Sequence, residues 1–134
     1  MIAPLKQTDY AITRQLFQDI FDMSEEPYFM AAWSARNPAA SVGVWHQDTL
    51  LAAAIVTSRF EGAYRLEYIF THPSRKGEGI GSRLLQHVLD YCPHIHLTSV
   101  EDPRIYAWYI KNGFRQTSNY IFTRHSHWLR SCSY

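Results

Sequence analysis

Residues 75–85 read RKGEGIGSRLL, and the glycines at alternate positions constrain the chain more than any other stretch. Glycine loses more backbone freedom on folding than any other residue, so Gly77, Gly79 and Gly81 together weaken the fold unless their backbone has a use. The residues before them, YRLEYIFTHP, alternate as a strand that Pro73 ends. Those after them put Ile80, Leu84, Leu85, Val88 and Leu89 on one side of a helix that Pro93 closes. A glycine loop between a strand and a helix aims unpaired N–H groups at one point, and the helix dipole adds partial positive charge there. An anion, most often a phosphate, suits such a point; a plain flexible turn is the alternative. Two common phosphate loops do not fit. No Lys-Ser or Lys-Thr pair completes a GxxxxGK[ST] motif, and Leu84 stands where GxGxxG requires its third glycine.

The rest of the chain predicts one α/β domain spanning residues 1–134. Residues 9–22 place Ile12, Leu16, Phe17, Ile20 and Phe21 on one helical face, with Thr8 or Asp9 as cap. SEEPYFMAAW reads as a loop and a short helix, with Pro27 in its first turn. SVGVWH and TLLAAAIVTSRF flank Gln47-Asp48 as a hairpin, and HIHLTSV is a later strand. PRIYAWYIKNGF opens on proline and carries glycine just past its last turn, as a helix does. FRQTSNYIFTR supplies closing strands turning near Ser118-Asn119. This order predicts a single mixed, mostly antiparallel twisted sheet flanked by about four helices.

Composition narrows the class. Hydrophobic residues make up 46% and charged residues 19% of 134, the profile of a soluble domain. There is no apolar run of membrane-spanning length, and MIAPLKQTDY lacks a signal-peptide layout. With Cys92 and Cys132 as the only cysteines, the expected setting is a reducing cytoplasm without a disulfide. A net charge of +1 argues against nucleic acid as a partner, although every Asp and Glu precedes residue 103. Asp19, Asp22, Glu25 and Glu26 crowd together, either as a solvated loop or as a rim that attracts cations. His94 and His96, with His125 and His127, would form two same-face pairs. Without a cysteine cluster or HExxH, hydrogen-bonded or surface histidines are expected there, and no metal.

Two blocks resemble one known family. KGEGIGSRLL is similar to the acyl-CoA signature of the GNAT superfamily of N-acetyltransferases, (Gln/Arg)-x-x-Gly-x-(Gly/Ala), with Lys76 in the Arg/Gln position. DPRIYAWYIKNGF resembles the family's N-x-x-A-x-x-(Phe/Leu)-Tyr-x-Lys-x-Gly-Phe stretch through Tyr109, Lys111, Gly113 and Phe114. Asp102 replaces the usual Asn and Ile105 the usual Ala; Asp102 is expected away from the pyrophosphate or capping the next helix. The resemblance implies acetyl-CoA as co-substrate, with its pyrophosphate wrapped by Lys76, Gly77, Glu78, Gly79, Ile80, Gly81 and Ser82. It implies that the backbone of Ile69, Phe70 and Thr71 holds the pantetheine arm. Side chains at Gly77 or Gly79 would take the phosphate's space, and one at Gly81 would crowd the strand. Lys76 keeps Arg's charge but not its two-pronged geometry.

Moving acetyl from a thioester to an amine requires a neutral amine and a protonated leaving sulfur. An amine of pKa about 10.4 is neutral roughly once in 2,500 molecules at pH 7, so a base or water relay helps. Tyr109 matches the family tyrosine near the sulfur and would be the acid, with a pKa near 10 against about 8.5 for a thiol; plain core is its other reading. Glu67, placed by alternation on one face with Arg65, Ile69 and Thr71, is either the base, a solvent-facing residue or a partner of Arg65. The resemblance puts Asp22, Glu25, Glu26 and Tyr28, with Trp33, beside the acceptor. That predicts a cationic amine: a polyamine, a diamine or a basic peptide. The expected protein is a monomer or homodimer. A non-catalytic acyl-CoA sensor or module is the main alternative, and a nucleotide-binding adaptor is a further one.

Overall fold

The computed structural model describes residues 1–59 and 62–126. Its elements are β1 (Ile2–Pro4), α1 (Tyr10–Gln18), α2 (Glu26–Ala35), β2 (Val42–His46), β3 (Thr49–Ser58), β4 (Ala63–Thr71), α3 (Ile80–Tyr91), β5 (His94–Thr98), α4 (Pro103–Lys111), β6 (Arg115–Gln116) and β7 (Ile121–His125). The strands form one sheet in the order β1-β2-β3-β4-β5-β7-β6, and every joint but β4–β5 is antiparallel. The mixed, mostly antiparallel sheet and its four α-helices match the expected fold class.

Helices cover both faces because β3 is thin at its centre. Ala52, Ala53 and Ala54 are all fully buried, and side chains this small let helices approach from either side. Leu84, Leu85 and Val88 of α3 pack on one face with Val56, Leu66 and Ile95. The other face is aromatic. Phe17 of α1 stacks on Phe29 of α2 at 4.4 Å, and Phe70 meets Phe17 edge-on.

Several boundaries differ from expectation. The helix foreseen over 9–22 stops at Gln18, and a 3-10 turn over Met23–Glu25 leads into α2. Ile12 lies outside the core, whereas Thr13 is fully buried and donates to the Asp9 carbonyl at 2.8 Å. The periodicity is that of an amphipathic helix, but its buried stripe is Thr13, Leu16 and Phe17. Strand β1 is only three residues long, too short for alternation to mark it. The Gln47-Asp48 turn is as foreseen, with Gln47 at φ 54. His127 and Cys132 lie outside the described residues.

A bulge in β4 overturns one expectation. Ile55 pairs with Tyr68 but Val56 pairs with Leu66, so Glu67 is an extra residue in the strand. Alternation breaks there. Leu66 and Ile69 both pack with the α3 core, while Tyr68 and Phe70 pack with α1 and α2. Glu67 therefore stays with Arg65, and Ile69 and Thr71 turn to the opposite face.

Candidate active site

Strands β4 and β5 are bonded over only three residue pairs: Ala63 with His94, Tyr64 with Ile95, and Arg65 with His96. Past these pairs β4 runs on to Thr71 and β5 to Thr98, and the two part like a fork. Among the described residues, one edge of β4 is left there without a strand partner, ready to bond an extended chain. The fork holds a cavity of about 780 Å³, walled by Leu66–Thr71 of β4 and by Leu97–Val100 at the end of β5. Ile20, Phe21 and Glu25 from the α1–α2 connection border it as well.

The glycine loop stands at one end of this cavity. Gly77 and Gly79 adopt φ of 88° and 78°, and Gly79 is the residue that opens α3. L-residues reach this left-handed region at a cost of about 1–2 kcal/mol. A Cβ at either position would meet nothing within 4 Å, so the protein itself asks only for the backbone turn. The space outside is open, which is what an approaching anion needs. Gly81 differs: a Cβ there would stand 3.3 Å from Thr71 Oγ1 on β4 and 4.0 Å from Trp108. Lys76, Ile80 and Ser82 line the cavity. Glu78 does not; it takes Arg75 in an exposed ion pair at 3.2 Å. The loop's left-handed glycines, the N-terminus of α3, the Lys76 cation and the open β4 edge suit a molecule with a pyrophosphate and an amide-bearing arm.

Tyr109 lies on the cavity wall, held by α4 between Trp108, Phe114 and Phe122 at ring distances of 5.1, 5.3 and 5.9 Å. Burial pushes its phenol up to about 12, and among the described residues nothing hydrogen-bonds the hydroxyl. A buried, protonated O–H facing a cavity is a proton donor without a competing partner. One residue earlier, the Trp108 indole donates to Ser82 Oγ at 3.0 Å and ties α4 to the first turn of α3.

Glu67 is differently held. Oε1 accepts from Thr57 Oγ1 at 2.9 Å and from Arg59 at 3.3 Å, and Oε2 accepts from Arg65 at 3.2 Å. With Tyr68 and Glu25 it divides the fork from a second cavity of about 670 Å³ under α2. Asp102 does not reach the fork. It caps α4, accepting from the Arg104 N–H at 2.9 Å, a bond that lowers its pKa.

The acidic residues separate by position. Glu25 borders both cavities and Tyr28 the second. Asp22 accepts from Ser24 N as a cap, and Glu26 is bound by Arg14 and Gln18. The histidines pair across the sheet: His94 Nδ1 lies 2.5 Å from His125 Nδ1. Among the described residues no group of three or more metal-binding side chains occurs. Sequence reasoning named Arg65 as a partner of Glu67 but missed Arg59 beside it, the β5 wall and Trp108. The strand spacing that creates the fork is a property of register, which leaves no local signal.

The sequence profile of the acetyltransferase (GNAT) family matches residues 10–114. The chain belongs to that family. It is an acetyl-CoA-dependent acetyltransferase of GNAT type. No curated protein matches it by sequence. Solved structures share the fold. The ribosomal-protein-S18-alanine N-acetyltransferase from Escherichia coli superposes with a TM-score of 0.77 at 19% identity, over 92% of each chain. Arabidopsis thaliana Naa50, in complex with the bisubstrate analogue CoA-Ac-MVNAL, gives 0.70 at 21%, over 92% of this chain and 95% of that one. The PaiA N-acetyltransferase from Thermoplasma acidophilum, solved with coenzyme A, gives 0.69 at 15%, over 93% and 98%. Among the described residues of this GNAT acetyltransferase, no helix is long and apolar enough to cross a membrane.

Proposed function

We propose that this GNAT acetyltransferase moves the acetyl group of acetyl-CoA to a primary amine by direct attack within one ternary complex. The observation that carries the reading is the shared cavity: a glycine-rich helix start, an unpartnered β4 edge and the Tyr109 phenol all border it. Lys76, Ser82 and the N–H groups opening α3 hold the pyrophosphate, and the backbone of Ile69 to Thr71 holds the arm and an N–H for the thioester oxygen. The amine nitrogen bonds to the carbonyl carbon, the C–S bond breaks, and Tyr109 gives its proton to the departing sulfur. The proton lost by the amine passes through water toward Glu67, which with Glu25 is one of the two carboxylates bordering both cavities.

The acceptor enters from the α2 side. Glu25 and Tyr28 favour a cationic amine such as a polyamine, a diamine or a basic peptide. Asp22 and Glu26 add little, since one caps a turn and the other is neutralised by Arg14. The MVNAL portion of the analogue bound to Naa50 keeps peptide N-termini among the candidates.

The test is thiol release from acetyl-CoA against polyamines, diamines, lysine peptides and peptide N-termini, beside the melting temperature with acetyl-CoA. Turnover supports the enzyme. Stabilisation by acetyl-CoA without turnover of any of these amines would overturn the acceptor classes named here, and the absence of both effects would overturn the proposed binding mode.

A further inference from the structure

Beyond the fork, the feature without an assigned use is the pair of guanidiniums in the second cavity. Arg59, at the end of β3, and Arg65 of β4 both point at Glu67. Two cations thus share one carboxylate. Each touches it through a single nitrogen, Arg59 by Nη2 and Arg65 by Nε, so neither makes a two-pronged pair and most of the five N–H donors of each are left over from it. Arg65 spends one further N–H on Thr98 Oγ1 at 3.3 Å, and both arginines line the cavity. The side chains are 46% and 29% exposed, against 19% for Glu67, so a solute reaches the cations before the anion. Burial lowers the pKa of His96, Arg65 and Arg59 lower it further, and Glu67 opposes them.

The same cavity runs under α2 past Ala31, Ala32 and Ala35, small residues that leave room for a ligand's stem. It meets the fork at Glu25, Glu67 and Tyr68. A molecule lying across this border has its amine by the carboxylates and the thioester, and its far end by the arginines.

On the transferase reading above, we infer that the acceptor carries an anionic group, a carboxylate, besides the amine, and that Arg59 and Arg65 recognise it. Amino acids and peptides with a free or side-chain carboxylate have this chemistry; polyamines lack it. Of the acceptors that Glu25 and Tyr28 favour, this selects peptides over polyamines and diamines, whose far cation would lie against the two guanidiniums.

The experiment uses amines matched except for charge: L-lysine, L-lysinamide and cadaverine, and short peptides with Glu against Gln near a free N-terminus. CoA release is followed at saturating acetyl-CoA. A charge-assisted hydrogen bond contributes about 1.5–3 kcal/mol, so kcat/KM should favour the carboxylate by about tenfold or more. In the R59Q/R65Q double variant the preference should fall below about twofold, while the KM for acetyl-CoA stays within about twofold. Equal or better turnover of the neutral or dicationic amines overturns the inference. So does a preference that survives the double variant, or silence on every carboxylate. In the last case, turnover of polyamines leaves the transferase reading standing, and no stabilisation by acetyl-CoA removes that reading too. The matched pairs on the unaltered protein decide the matter even if the double variant fails to fold.

Discussion

The indole N–H of Trp108 donates to the Ser82 hydroxyl across 3.0 Å, joining α4 to the first turn of α3. Because the oxygen accepts there, the hydroxyl hydrogen is left to donate toward the cavity that both residues border. The bond thus orients a donor at a helix start where an anion would sit. Replacing Trp108 by Phe keeps the ring contact with Tyr109 but frees that rotor. A net hydrogen bond contributes about 0.5–1.5 kcal/mol, so W108F should raise the KM for acetyl-CoA by roughly two- to tenfold with kcat little changed. S82A should do the same, and the two effects should not add. Steady-state kinetics of the single and double variants check this.

Tyr109 bears on the chemical step and on alkaline stability. Its phenol stands at about 12 in the folded chain against an ordinary 10.0, because burial disfavours the phenolate. As the proposed acid it remains protonated through the working range, and kcat should show no loss from this group below about pH 10. Y109F should lower kcat by about 10²-fold or more with the acetyl-CoA KM nearly unchanged. The sign for stability follows from the raised value. The contribution is complete below about pH 10 and disappears as pH rises through 12. Melting temperatures over that interval should fall more steeply in the unaltered protein than in Y109F.

Cys92, fully buried at the end of α3, should be chemically silent in the native state. Desolvation pushes its thiol from 9.0 up to about 12, so almost no thiolate exists at pH 8. In a C132S background, a thiol-specific reagent should label Cys92 only as fast as the protein unfolds. Rapid labelling without denaturant would contradict the burial.

Glu25 and Glu26 are adjacent in sequence but should fail differently. Glu26 is bound by Arg14 and sits at the start of α2, so E26Q should lower stability by up to about 1 kcal/mol and leave the acceptor KM alone. Glu25 borders both cavities, so E25Q should move the acceptor KM several-fold with little change in melting temperature. Denaturant titration beside kinetics separates the two.

The contrast between these neighbours marks how far the sequence could be read. Helices α3 and α4 were legible because apolar periodicity and Pro/Gly punctuation agree on them, and the glycine loop because few other folds tolerate three such residues. The side each carboxylate takes was not legible, since the partner of Glu26 lies 12 positions away on another helix. Nor was the orientation of Glu67 within β4. A bulge there has no residue signature, and one extra residue exchanges the faces of everything after it. Tyr109 could be placed on a helix from its spacing, but its exposure to a cavity follows from strands that separate, a tertiary fact.

The three residue pairs that join β4 to β5 also have a mechanical meaning. The sheet is two plates stitched along a short seam, one of four strands and one of three. A donor arm held as proposed along Ile69 to Thr71 would bond to the open margin and so lengthen the stitching. Binding at 100 times Kd stabilises a folded chain by about 2.7 kcal/mol, and here much of that gain should fall on the smaller plate, as slower amide exchange in β5 and β7. On the proposed binding mode the acetyl donor is a removable strand of the architecture as well as a reactant.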